Sequence, residues 1–184
     1  MTGKSTPGGF MCLRPFPDLP HPDIEVIAEA SRLRADVLQL WLTLRGDLSG
    51  IVIPEFSEPA RADDLWQHTC SEAFLLAGSG SGYCEFNISP SRHWAAYSFT
   101  RYREGRENLD IEAPDVTVAE MGSNFSIGAV LKLGPSLADK PWMLGLSAVI
   151  EEADGTKSYW ALKHPPGKPD FHHPDCFALE LPVI

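Results

Sequence analysis

The chain has 184 residues, 43% of them hydrophobic and 22% charged, with 25 acidic against 15 Lys and Arg side chains and a formal net charge of −10. That size and balance fit one soluble globular unit with an adequate core. The acidity argues against the clustered Lys and Arg of a nucleic-acid groove or an anionic membrane surface, and it favours a neutral or cationic ligand.

Residues 1–22 hold five prolines and read as a loose arm, followed by one domain over 23–184. Met1 to Phe10 carries one lysine and no apolar run, so it is not a secretory signal, and no stretch is long and apolar enough to span a bilayer. The expected location is the cytoplasm. Cys12, Cys70, Cys84 and Cys176 form no Cys-x-x-Cys pair and read as free, mostly buried thiols.

Ile24 to Leu33 fits two patterns: a helical face of Ile24, Ile27, Ala28 and Ser31, or a strand with Ile24, Val26, Ala28 and Ala30 on one side. The strand is favoured because it would pair with the segment after Ala35. Asp36 to Arg45 alternates, with Leu38, Leu40, Leu42 and Leu44 on one side and Val37, Gln39, Trp41 and Thr43 on the other, which predicts a strand. Ile51 to Ile53 is a short run ending at Pro54. Cys70 to Leu76 and Tyr83 to Ile88 flank the hairpin loop Gly78-Ser-Gly-Ser-Gly82. Trp94 to Tyr102, Ile111 to Ala119, Asn124 to Leu133, Leu144 to Glu151 and Ser158 to Leu162 follow, the last two joined by the turn Ala153-Asp154-Gly155. Many short strands joined by Gly and Pro turns predict an all-β sandwich or jelly roll.

The catalytic patterns fail on context. Gly78-Ser-Gly-Ser-Gly82 lacks the Lys-Ser/Thr ending and following helix of a phosphate loop, and the strand-turn-helix setting of a nucleophile elbow. There is no His-Glu-x-x-His, and Glu72 with Glu85 would need a defined separation to act as a glycosidase pair. The expectation is a protein that is not an enzyme. His164, His172 and His173 lie near Asp170 and Asp175 and form a candidate metal set. Adjacent His172 and His173 point to opposite sides if extended, so hydrogen bonding within a proline-rich loop is the simpler role.

The constellation that carries most weight is aromatic plus polar. Trp66 sits in a polar loop before a strand, and Glu72 interrupts an apolar strand. Glu85 and Asn87 share a face of the next strand, and Tyr97 and Arg101 share a face of the one after. Trp160 opens a segment to Phe177 that holds four prolines, His164 and His172, which reads as a rigid wall over a site. Rings that stack on a pyranose, beside carboxylate, amide and guanidinium groups that bond hydroxyls, suit a saccharide. The ligand-binding set is therefore Trp66, Glu72, Glu85, Asn87, Tyr97, Arg101, Trp160, His164 and His172, with no metal and no required cofactor.

Leu65-Trp66-Gln-His-Thr-Cys-Ser-Glu72-Ala-Phe74, Tyr83-Cys-Glu85-Phe-Asn87-Ile-Ser-Pro90, Trp94-Ala-Ala-Tyr97 and Pro166-Gly-Lys-Pro-Asp170-Phe-His172-His-Pro174-Asp-Cys-Phe177 occur in that order. Together they resemble the DOMON-like domains, which are related to family-nine carbohydrate-binding modules. The resemblance spans about Ile24 to Leu181. It implies an immunoglobulin-like or jelly-roll β-sandwich of two antiparallel sheets, binding sugars or, in some branches, haem. It places Trp66 and Glu72 in the ligand site, with Trp160 and Phe171 as candidates for a second stacking ring. A haem reading would draw an axial pair from Met121 or Met143 with His164 or His172. A third reading is a structural or partner-docking domain whose pocket is closed, with Trp66 and Glu72 buried and mutually satisfied.

Overall fold

The computed structural model describes residues 9–184 and the backbone of Thr6–Pro7. Fourteen strands occur in chain order among these residues: β1 (Thr6–Pro7), β2 (Met11–Cys12), β3 (Arg14–Pro15), β4 (Ile24–Arg34), β5 (Val37–Gly46), β6 (Cys70–Ala77), β7 (Tyr83–Ile88), β8 (Trp94–Phe99), β9 (Glu107–Asn108), β10 (Asp115–Met121), β11 (Asn124–Lys132), β12 (Trp142–Glu151), β13 (Lys157–Ala161) and β14 (Leu179–Leu181). Single turns of 3-10 helix lie at Leu65–Gln67, Pro135–Leu137 and Pro174–Cys176.

The strands form a sandwich of two antiparallel sheets, as the sequence pattern predicts. The first sheet runs β1-β4-β5-β11-β10, with β2 also on β4. The second runs β3-β13-β12-β6-β7-β8-β9, with β14 also on β12. The ambiguous segment at Ile24 is a strand, paired with β5 from Ile24↔Gly46 to Arg34↔Val37. The proline-rich arm is not loose over its described part: β2 pairs β4 and β3 pairs β13, so it adds to both sheets. Residues 1–5 and Gly8 of that arm lie outside the described residues. Ile51–Ile53 makes only an isolated bridge to Glu152, because Pro54 ends it before a ladder can form.

The core lies between the sheets. Leu38, Leu40, Leu42 and Leu44 face it from β5, and Phe86, Ile88, Leu144 and Ile150 from the second sheet. Trp94, Trp142 and Trp160 fill the same layer. The two sheets differ outside this layer. On β5 the residues alternating with the leucines are partly exposed, whereas all six residues of β7 are buried. A second apolar cluster of Phe74, Tyr83, Tyr97, Phe99, Val149 and Phe171 covers the outer face of the second sheet. That face holds the candidate site.

One charged side chain lies in the core. Arg32 is fully buried and donates to the carbonyls of Lys140 at 2.8 Å and Pro182 at 3.1 Å, and also to those of Ala35 and Ala138. Its guanidinium sits 3.7 Å from the Trp142 ring centroid. The planar five-donor fork suits a cluster of carbonyls that a lysine could not span. It ties the Pro135–Leu137 turn and the C-terminal segment to β4. Arg32→Ala is expected to lower the unfolding free energy by about 3 kcal/mol or more, because it opens a cavity and strips several buried carbonyls of donors. Urea denaturation checks this, and Arg32→Lys should recover only part of the loss.

Candidate functional site

The site begins as a row across five strands. Register sets Ala161, Ser147, Glu72, Asn87 and Ala95 directly opposite one another on β13, β12, β6, β7 and β8. Side chains so placed share one face, with Cβ atoms about 4.5–5.5 Å apart. The three polar members sit between two alanines and are themselves buried. One step along the sheet, Glu85 lies between Phe74 and Tyr97. A cavity of about 610 Å³ opens over Glu72 and Glu85, with Trp66, Tyr159 and Phe171 among its walls; Ser147 and Asn87 lie beside Glu72 in the sheet but do not line it.

This part of the sheet is polar and short of partners. Asn87 Nδ2 donates to Glu85 Oε1 at 2.7 Å, which aims Asn87 Oδ1 away from that carboxylate. Asn87 Oδ1 and Ser147 Oγ are buried and make no hydrogen bond among the described residues. Neither does the carboxyl of Glu72, which is only 5% exposed. Burial pushes the Glu72 carboxyl well above the ordinary glutamate range, and neighbouring Glu85 adds to the shift. Burial also raises Glu85, against the Asn87 hydrogen bond and the Arg106 and Arg103 charges.

The residues after Cys70 form a strand, while those before it arrive by a loop tied to β8. Trp94 N donates to Ala60 O and Ala62 N to Trp94 O, each at 3.0 Å. Arg61 reaches the carbonyls of Leu109 and Ala96 and lies over the Trp94 ring. This anchoring delivers Asp63, Asp64 and the Leu65–Gln67 turn to the rim. Trp66 stands there 49% exposed. Tyr97 donates its hydroxyl to Asp63, and the Arg106 guanidinium lies 4.1 Å from the Tyr97 ring centroid.

The C-terminal loop closes the other side. Buried Asp170 accepts from the Tyr102 hydroxyl and from Arg103 Nη2, the latter at 2.7 Å, and from His172 N at 3.2 Å. Burial opposes its charge, yet the bonds from Tyr102 and Arg103 hold its carboxyl below the ordinary aspartate value. Arg103 is held in the left-handed region at φ 56°. Its N–H donates to the Tyr83 hydroxyl at 3.1 Å. The same hydroxyl is hydrogen-bonded to His172 Nδ1 at 2.7 Å. His172 Nε2 lies 3.8 Å from Glu85 Oε2. Gly145 lets the loop approach, because a Cβ there would meet Cys176 O at 3.0 Å.

The structure brings Trp66, Glu72, Glu85, Tyr97 and His172 from the expected set to the cavity, and Asn87 stands behind them, bonded to Glu85 but not lining the cavity. Three others lie elsewhere. Trp160 faces the inter-sheet core, where its Nε1 donates to Ser158 Oγ at 2.8 Å; its neighbour Tyr159 lines the cavity instead. Arg101 is an exposed turn residue paired with Glu104, and Arg103 takes the place at the cavity. His164 bonds Arg14 O at 2.8 Å, outside the cavity wall. His173 caps the Pro174–Cys176 turn by accepting from Asp175 N. The three histidines thus do separate work, and no group of three or more ligating side chains comes together among the described residues. Met121 is exposed at the β10–β11 turn and Met143 lies beyond the cavity lining, so neither stands opposite a cavity histidine.

Arg103 and Arg106 are cavity side chains that the pattern of the sequence does not single out. Their signal was a charged turn, Arg101 to Arg106, of the kind that usually points into water.

No protein-family model matches the chain, and no curated protein matches it. The DOMON-like resemblance therefore stands on the residues that carry it. Among solved structures, the crystal structure of a "putative carbohydrate-binding protein" from Bacteroides uniformis ATCC 8492 is similar over 92% of this chain and 84% of that one, with a TM-score of 0.64 and 15% sequence identity. That likeness supports the sandwich architecture.

Burial lowers the pKa of His172 from 6.5 to about 4, with the nearby Arg103 charge adding to the effect. The unfolded chain therefore takes up this proton at a higher pH than the folded chain. Stability contributed by the neutral ring is present above pH 6.5 and is lost as pH falls toward 4. A shift of this size corresponds to about 3 kcal/mol. Urea midpoints measured across that window should fall steeply for the native chain and be flatter for His172→Gln.

Proposed function

We propose that the chain is a non-catalytic binding protein whose ligand is a saccharide or a similar polyhydroxylated small molecule. One observation carries the reading: an open cavity lies beside Trp66 and the C-terminal loop, with the carboxyls of Glu72 and Glu85 among the groups that line it. A closed structural domain would bury Trp66 and satisfy Glu72, and here Trp66 is half exposed and Glu72 has no bonding partner among the described residues. The volume of about 610 Å³ falls within the range of small-molecule pockets. Aromatic walls over a carboxylate floor match the two faces of a sugar ring, C–H groups against π surface and hydroxyls against acceptors. The resemblance to DOMON-like domains and family-nine modules points the same way, as does the carbohydrate-binding description of the Bacteroides protein of similar fold.

A binding role fits the carboxylates better than hydrolysis does. Glycosidases flank the scissile bond with two carboxyl groups. Glu72 and Glu85 instead lie side by side on neighbouring strands of one wall, both raised by burial.

Titration of tryptophan fluorescence against a panel of mono- and disaccharides tests the reading. A saturable change is expected for at least one sugar. Trp66→Ala should weaken that binding by about tenfold, the scale of one stacking contact, while leaving the thermal midpoint unchanged because the ring is half exposed. A flat response from the whole panel would sink the saccharide reading.

A further inference from the structure

We propose that the end of the cavity over β12 and β13 takes an aromatic substituent, so that the ligand is a glycoside whose sugar carries an aryl group. The sugar half rests on the saccharide reading above. The aryl half follows from the lining of the cavity.

That lining changes in character along the sheet. Adjacent strands lie about 4.8 Å apart, so the four steps from β13 through β12, β6 and β7 to β8 cover about 19 Å, longer than one sugar ring. The carboxyls that strands give to the cavity stand on β6 and β7, as Glu72 and Glu85, and the turn beyond β8 adds the guanidiniums of Arg103 and Arg106. From β12 and β13 come Val149 and Tyr159, directly opposite one another in the ladder. Phe171 lies against Tyr159, the ring centroids 6.2 Å apart and the planes inclined by 60°. Leu19 completes this end, 37% exposed.

The N-terminal arm sets Leu19 in place. Pro15 pairs with Trp160, and Phe16 N donates to Tyr159 O at 2.7 Å, so the arm runs beside the strand that carries Tyr159. Asp18 then turns the chain in the left-handed region at φ 63°. His164 fastens the arm to the C-terminal loop through Arg14 O at 2.8 Å and an edge contact with Phe16, centroids 5.1 Å apart. The arm is thus a wall of the cavity with an apolar side chain turned to it.

A second sugar ring is a poorer occupant of this end. Its rim of hydroxyls needs partners, and burying a hydroxyl without one is costly. No charged or amide side chain lines the cavity from β12, β13 or the arm among the described residues, and the Tyr159 hydroxyl is the one polar side-chain group they bring. Asp64 and Lys168 belong to the rim turn and the C-terminal loop. An aryl group asks for no hydrogen bond, gains by leaving water, and packs edge-to-face on rings such as Tyr159 and Phe171.

Calorimetric titration of the full chain with the methyl and phenyl β-glycosides of glucose, galactose and mannose, with cellobiose and with phenol tests this. For at least one sugar the phenyl glycoside should bind about tenfold or more tighter than its methyl counterpart, with a more negative heat-capacity change. Leu19→Ser should reduce that preference and leave the affinity for the methyl glycoside unchanged, and its exposed position keeps the fold intact. Tyr159→Ser should remove most of the preference. Equal affinity for each phenyl glycoside and its methyl counterpart overturns the aryl group and leaves the saccharide reading standing. Cellobiose bound as tightly as phenyl glucoside does the same, since it puts a second sugar in this end. A phenyl preference that neither substitution lowers overturns the placement. Phenol binding that depends on Tyr159, with no glycoside bound, upholds the apolar end and overturns the saccharide reading. No binding by any of these probes overturns both.

Discussion

Everything at the site depends on the clamp made by Asp170. This one carboxylate receives the Tyr102 hydroxyl, the Arg103 guanidinium and the His172 amide. It thereby fastens the C-terminal loop to the turn after β8. Sheets of a sandwich commonly leave one face wet, and the first sheet does so here. The second sheet is covered on both faces because the clamp lays a proline-stiffened loop across it. The loop in turn turns a shallow sheet surface into a cavity with walls, and it is the burial under those walls that perturbs Glu72, Glu85 and His172. The charge on Asp170 is tolerated where burial raises the pKa of Glu72 and Glu85, since Tyr102 and Arg103 both donate to it.

The consequence is a cavity in which charge is unevenly distributed. At the loop, acid and base are matched pair by pair, Asp170 with Arg103 and Asp63 with Arg106. At the floor they are not matched: Glu72 has no donor, and Glu85 has one from Asn87. His172 lies between the two regions as a neutral ring, its protonation opposed by burial and by Arg103. It seals the floor with its edges against Phe74 and Phe99, at centroid distances of 4.9 and 5.2 Å, and adds no charge. A polar floor within apolar, water-poor walls is where each added hydrogen bond counts most.

Much of this was legible in the sequence, and the errors share a cause. Alternation located β5 because one face of the first sheet is wet, which makes inside and outside distinguishable in composition. On β13 a ring stands on each side of the strand, Trp160 buried and Tyr159 partly buried, so composition carries no parity signal, and the ring assigned to the ligand belongs to the core while Tyr159 faces the cavity. Glu72, Glu85 and Asn87 were visible because a polar residue within a strand buried on both faces has no bland explanation. Arg101 and Arg103 could not be separated by pattern. They lie beyond the end of β8, where the turn places Arg103 at positive φ and reverses the side-chain direction. The role of Asp170 depends on partners 67 and 68 residues away, and such pairings are invisible to local periodicity.

The cavity also combines a fixed interior with an adjustable entrance. Ser147, Glu72 and Asn87 are set by the register of three adjacent strands, a rigid platform that cannot shift one member without moving the ladder. Trp66, by contrast, stands on a single helical turn whose first flanking residue, Asp64, is itself in the left-handed region at φ 60°. Unbonded polar atoms such as Asn87 Oδ1 and Ser147 Oγ are costly to bury, and strand pairing over-determines their positions. The strands thus hold Glu72 and Glu85 in fixed register beneath the cavity, while the rim rests on one short turn.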